Sequence, residues 1–464
     1  MKRYMKLTLA AVAIPLFALP LLAQQVAQTG TRTEAAKPQT DSAKADSTKK
    51  ETNILSTVPT IEIQHLRPQD QRGLNVFEPP KNDGVPYTGF KLSWGAAFTQ
   101  QFQGLTHSNT AAPRLVNNVD QNKLMGIGNG FNNAVANLYL NAQIAKGIRV
   151  AVVNYASARH HQETWVKEGY ALIDDSPIDN PLLNTIMKYT TVKFGHFELN
   201  YGDAHFRRTD NGQAMYNPFV GNYILDAFTT EIGGEVYLRS GSWMAMGAVT
   251  GGEVRGQVTA PDKRSPAYIA KLGFDKQATK DLRVRLTGST YAQDKANSNT
   301  LFTGDRAGSR YYLVLENTAA TEKDNAWSGN IRPGFANQVH AYVVNPFIKY
   351  RGLELFGNIE TATGKASTEL TNRTIRQYAG EGIYRLFSDK VYFGGRYNTV
   401  RGTLAGIPND IAVNRVQLGG GWFVTPLLLT KVEWVNQKYE KFPTTDIRSG
   451  GQFKGFMVEG VLAF

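Results

Sequence analysis

The chain contains no cysteine. That excludes disulfides, thiolate metal sites, cysteine nucleophiles and a lipidated N-terminal cysteine. Beyond the N-terminus no apolar run reaches the roughly eighteen residues that a transmembrane helix needs. Neither a GxSxG elbow nor an HExxH pair occurs, so two common local signatures of hydrolytic sites are missing. The glycine clusters "GIGNG" at 126–130 and "GGGWF" at 419–423 lie in a loop and a strand and open no helix, so they cradle no phosphate. Lysines and arginines bring the formal net charge to +12, yet they are spread along the chain rather than grouped with stacking aromatics. This argues against nucleic-acid binding.

What is present begins with "MKRYMKLTLAAVAIPLFALPLLAQQ", a cationic start, an apolar run and a small residue at Ala23. This is the plan of a secretory signal peptide over 1–23, too short to span a membrane as a helix. Residues 24 to about 60 are rich in Ser, Thr, Ala, Lys and Asp, and cannot bury enough surface to offset their ordering entropy. With the Pro- and Gly-broken stretch that follows, 24–86 reads as a disordered or loosely structured N-terminal tether.

From Tyr87 to the C-terminus, 87–464, the apolar pattern has period two. "FKLSWGAAFTQQFQ" sets Phe90, Leu92, Trp94 and Phe98 against Lys91, Ser93, Thr99 and Gln101, and "LRVRLTGSTYAQ" sets Leu282, Val284 and Leu286 against Arg283, Arg285 and Thr287. Alternation at this period marks strands. About sixteen such segments begin near 90, 132, 148, 163, 190, 229, 242, 267, 282, 338, 353, 374, 391, 411, 427 and 451. Many reach the nine to eleven residues that a tilted strand needs to cross a bilayer. The phase is ambiguous over 163–173 and 338–350, where apolar residues fall on both faces, and "SRYYLVLENT" at 309–318 is either an extra strand or an upward extension within its loop. Connectors alternate in length: tight at "KG" 146–147, "SG" 240–241, "RG" 351–352, "SDK" 388–390 and "TP" 425–426, and generally long and polar in between. These features imply an all-β fold, a transmembrane antiparallel barrel of about sixteen strands with short periplasmic turns and long extracellular loops. The expected location is the outer membrane of a Gram-negative bacterium.

The chain ends on "GQFKGFMVEGVLAF". Phe456, Val458, Leu462 and Phe464 would share a lipid-facing side of a closing strand, and a terminal aromatic of this kind resembles the signal that barrel-assembly machinery reads. The opposite faces of the strands would line the lumen. They bring basic residues Arg149, Lys193, Arg239, Lys271, Arg283, Arg285, Arg396, Arg415 and Lys431, diluted by Glu231, Glu235, Glu354, Glu360, Glu433 and Glu459. The connector at 201–228 is long and carries Tyr, Phe and Met, which suits a loop folded onto the inner wall. Asp203, His205, Arg207 and Arg208 would then narrow and charge the pore, and guanidinium rings at a constriction favour anions.

"TTVKFGHFELNYGDAHFRRTDNGQAMYNPF" followed by "TTEIGGEVYL" resembles the central strand–loop–strand of porins related to the phosphate-selective porin family, in its Bacteroidetes-type variants. The resemblance implies a trimeric sixteen-stranded barrel that passes small anionic solutes, and no cofactor or resident metal is expected. Three rival readings are a barrel hydrolase built around His160, His161, His205 and Asp203, a metal site at His160, His161 and Asp203, and a structural barrel whose tether touches the cell wall or a partner. A plugged, energy-coupled transporter would need a globular domain ahead of the barrel, where only about sixty residues are available.

Overall fold

Sixteen long strands, each hydrogen-bonded to its neighbours in sequence, close into a ring in the computed structural model. The structure describes residues 62–464 apart from 82, 159–163, 255–257, 304–309 and 326–327. The expected signal peptide, the tether up to residue 61, and His160 and His161 lie outside the described residues. The strands are β1 (Lys91–Ser108), β2 (Val135–Ala145), β3 (Ile148–Ser157), β4 (Thr164–Ile173), β5 (Thr190–Glu198), β6 (Thr230–Ser240), β7 (Trp243–Thr250) and β8 (Ala267–Gln277). They continue as β9 (Leu282–Gln293), β10 (Gln338–Tyr350), β11 (Leu353–Lys365), β12 (Arg373–Leu386), β13 (Val391–Gly402), β14 (Ile411–Thr425), β15 (Leu428–Glu440) and β16 (Gln452–Ala463). All pairings are antiparallel, and β1 closes on β16 from Ala97↔Ala463 to Ser108↔Gln452. The seam extends through the chain end, where Phe464 N donates to Ala96 O at 3.0 Å and Ala96 N donates to Phe464 O at 3.1 Å. Closure leaves no free edge, which a sheet in hydrocarbon requires.

The outer face is apolar along its length. Leu92, Trp94, Leu138, Phe194, Val236, Leu272, Leu286, Ile359, Leu418, Val432, Val458 and Leu462 are all exposed and alternate with buried lumen residues. Phe456 belongs to this face, and the half-buried Phe464 meets Trp94 edge-on at 5.6 Å. Such a surface is a liability in water and the proper one in lipid.

Three points that the sequence leaves open are decided by the structure. Residues 310–318 form no wall strand: Arg310, Tyr311 and Val314 are buried inside the barrel instead. The ambiguous phase of β4 has a local cause, a bulge: Val153 pairs with Glu168 and Asn154 with Val166, so Lys167 is the extra residue and the face switches there. In β10 the alternation is regular, and its inward Val339, Val343 and Phe347 are apolar because they pack on protein rather than water.

The stretch before the barrel is built onto its mouth. Residues 62–86 do not behave as a loose tether. Ile63, Asp70, Asn75 and Phe77 are buried, and the segment runs across the short-turn mouth. It touches the wall around that mouth: Gln64 at Gln143, His65 at Arg149, Gln71 at Asp389 and at Pro426, and Lys81 at Asp174.

Candidate functional site: the filled lumen

A loop inside a barrel must find partners for its backbone groups as well as its side chains. Residues 199–229, between β5 and β6, find them on the far wall. Gly212 N donates to Asn137 Oδ1 (2.9 Å), Val220 N to Glu433 Oε2 (2.8 Å), Ile224 N to Asn398 Oδ1 (2.6 Å) and Leu225 N to Gln377 Oε1 (2.8 Å). Ala214, Met215, Phe219, Val220, Ile224 and Leu225 are buried against inward residues of the wall, which gives the lumen an apolar core. Gly212 is needed for the approach, since a Cβ there would lie 2.4 Å from Ala97 O. The expectation of an inward-folded loop at 201–228 therefore matches the structure, and the packing is tighter than a constriction requires. The 294–337 connector adds to it: Tyr311 Oη donates to Glu433 (2.6 Å) and Tyr312 N to Gln103 Oε1 (2.9 Å).

The residues expected to charge the pore face inward, and most are buried in ion pairs. Arg207 reaches Glu381 at 2.8 Å and Glu354 at 3.6 Å; Arg208 reaches Asp226 at 2.7 Å. Asp203 and Glu78 together hold Lys271 (2.7 and 2.9 Å) and Arg285 (2.8 and 2.7 Å). Arg396 pairs with Glu381 at 2.8 Å and Lys431 with Glu459. Arg415 has no carboxylate partner among the described residues and instead binds Gln437 Oε1 (2.5 Å) and the carbonyls of Asn222 and Gly329. Arg283 sits at the short-turn rim, a quarter exposed, bridged to Asp275 at 2.6 Å. These pairings differ from a ladder of solvated cations, because the neutralising acids come from adjacent strands, the inward loop and the N-terminal segment. His205 engages Glu198 through Nδ1 (3.2 Å) and Asn200 through Nε2 (3.0 Å). Burial pushes its imidazole below the ordinary value against the pull of Glu198.

The space left over is a chamber of about 250 Å³ between the inner wall of β2–β6, the 199–229 loop and the N-terminal segment. Lys167 faces Asp210 there at 2.8 Å and Lys193 faces Glu235 at 3.6 Å. Three further cations line it with no carboxylate within 4 Å among the described residues: Arg67, whose donors are taken by Gly73 O and Phe206 O, and Arg149 and Arg239. Arg149, 6% exposed, donates only through Nη2 to His65 O (3.1 Å) and leaves Nε without a partner; Arg239 donates to Thr191 Oγ1 (3.2 Å). Both stand on lumen faces that alternation alone identifies. Asn75, Phe77 and Glu78 are participants that no periodicity signals.

No protein-family model matches this chain, and no curated protein matches it. Solved structures do. The anion-selective porin from Comamonas acidovorans superimposes with a TM-score of 0.50 at 9% identity, covering 81% of this chain and all of that one. The fold is that of a porin barrel. An outer-membrane OmpT of Vibrio cholerae (TM-score 0.46, 10% identity, 82% of this chain and 99% of that one) and the Salmonella typhi OmpF (0.46, 10%, 81% and 98%) also match.

Proposed function

We propose that this barrel is an outer-membrane porin that lets small hydrophilic solutes diffuse passively, with a preference for anions. The observation that carries the reading is the charged chamber inside a lipid-faced barrel, where Arg149 and Arg239 lack counter-carboxylates. An unpaired guanidinium offers hydrogen bonds to a partly dehydrated anion, and to phosphate in bidentate form. The seat of selection is thus the β2–β6 wall rather than Arg207, Arg208, Arg283 and Arg285, whose charges are locally balanced. The short turns face the periplasm, and three copies assemble as the family resemblance implies. The role is transport and not hydrolysis: both ring nitrogens of His205 are already engaged, and Asp203 is committed to Lys271 and Arg285.

The test is the reversal potential in a planar bilayer across a salt gradient. An anion-selective potential that moves toward zero in Arg149→Gln/Arg239→Gln is expected, and added phosphate should reduce the current if phosphate is a solute. A cation-selective or unselective potential would overturn the preference while leaving the pore.

A further inference from the structure

The N-terminal segment has a consequence for that pore. A second cavity, of about 420 Å³, lies at the short-turn rim beside β6–β9 and is lined by Trp243, Met244, Arg283 and Arg285. Phe77, Glu78 and Arg239 line this rim cavity and the inner chamber alike. The two cavities are therefore neighbours, and the stretch Asn75–Pro80 runs between them. We infer that residues 75–80 are a gate, closed in this structure, whose withdrawal joins chamber and rim into one periplasmic exit.

The gate is held by three contacts of different kinds. Phe77 is seated edge-on against Phe206 (5.8 Å) and Phe347 (5.3 Å), with the Arg285 guanidinium 4.3 Å from its ring centre. Glu78 receives Lys271 (2.9 Å), Arg285 (2.7 Å) and the Asn200 side-chain amide (2.9 Å). Asn75 bridges Arg207 and Glu354. None of these is a covalent or sheet contact. The gate is a strip of chain laid on the wall, with no strand pairing among the described residues, so it can leave without opening the barrel. Its withdrawal would remove one of the two acids on Lys271 and one of the three on Arg285, and add their charge to the path.

The experiment uses the full chain with Glu78→Cys and Asn200→Cys, bridged by a short reversible thiol cross-linker. The background contains no other cysteine. Single-channel conductance is read in one preparation before and after reduction, beside the unmodified protein and Phe77→Ala. A several-fold rise on reduction and in Phe77→Ala, with a near-silent cross-linked state, is the expected result. The inference rests on the porin reading, and its failure is separable from it. A full conductance that is the same cross-linked, reduced and unmodified overturns the gate and keeps the pore. Silence of all forms, with the barrel folded by circular dichroism, overturns both.

Discussion

Glu381 on β12 illustrates how the lumen tolerates so many buried charges. Arg207 arrives from the loop and Arg396 from β13, and one carboxylate serves both, through Oε1 at 2.8 Å and Oε2 at 2.8 Å. Taking two guanidinium groups and a carboxylate out of water is costly, and only full pairing makes it tolerable. The remaining donors are used on Asn75, Asn217 and Gly221 O. Replacing Glu381 by Ala therefore leaves Arg396 without a carboxylate and Arg207 with only Glu354 at 3.6 Å, where an exposed pair would matter little. The expected loss is about 3–5 kcal/mol of barrel stability, typical of breaking a buried pair from one side. Glu381→Gln, which keeps an acceptor, should lose less. The urea midpoint of the refolded protein in detergent micelles measures both, and equal stability of Glu381→Ala and the unmodified protein would contradict the pairing.

At the scale of elements, the N-terminal segment responds to pH through Glu78. Burial alone would raise this carboxyl, but Lys271 and Arg285 beside it, with the Asn200 amide, hold it well below the usual carboxylate range. Asp203, on the same two cations, is lowered as well. A carboxylate with a depressed value stabilises the docked state fully above its ordinary value, and that contribution is lost as pH falls through the depressed one. The segment should thus stay docked from neutral pH down past pH 5 and release only in stronger acid. Glu78→Gln should remove most of this dependence. Protease cleavage within 62–81, followed against pH, reports it; release between pH 7 and 5 would contradict the assignment. The same segment marks the limit of what the sequence shows. The wall strands are legible because lipid on one side and lumen on the other impose period two at every step, and expected starts fall within three residues of those found, the largest gap being 132 against Val135. "NVFEPP" has no period. Its order comes from partners well over a hundred residues away, Lys271, Arg285, Phe347 and Glu354, and no local pattern announces them. The loop at 201–228 is intermediate: its Tyr, Phe and Met show that it packs, but not that Glu433, Asn398 and Gln377 wait for its amides.

The whole molecule has two apolar regions with opposite partners, an outer belt that needs lipid and an inner core that packs as a soluble protein's does. Phe197, Val220, Ile224, Ile331, Val339 and Val413 belong to one interior cluster, drawn from the loops and the wall together. A hydrated pore with a loop lying across it would let water reach most loop amides. Here Gly212, Val220, Ile224 and Leu225 donate to buried wall side chains, and Ile331 donates to Ile224 O at 2.8 Å, tying the second inward loop to the first. Amide exchange follows local opening rather than surface position alone. Opening 212–225 requires breaking contacts with β2, β12, β13 and β15 at once, whereas lifting 62–81 leaves the rest of the core in place. Hydrogen exchange on the micelle-bound protein should therefore rank the strands and residues 212–225 together as slow, with 62–81 faster by an order of magnitude or more. Fast exchange at 212–225 would mean the interior is solvated and the loop only rests in it. Protection of 62–81 equal to that of the strands would mean the exit opens by some movement other than withdrawal of the N-terminal segment.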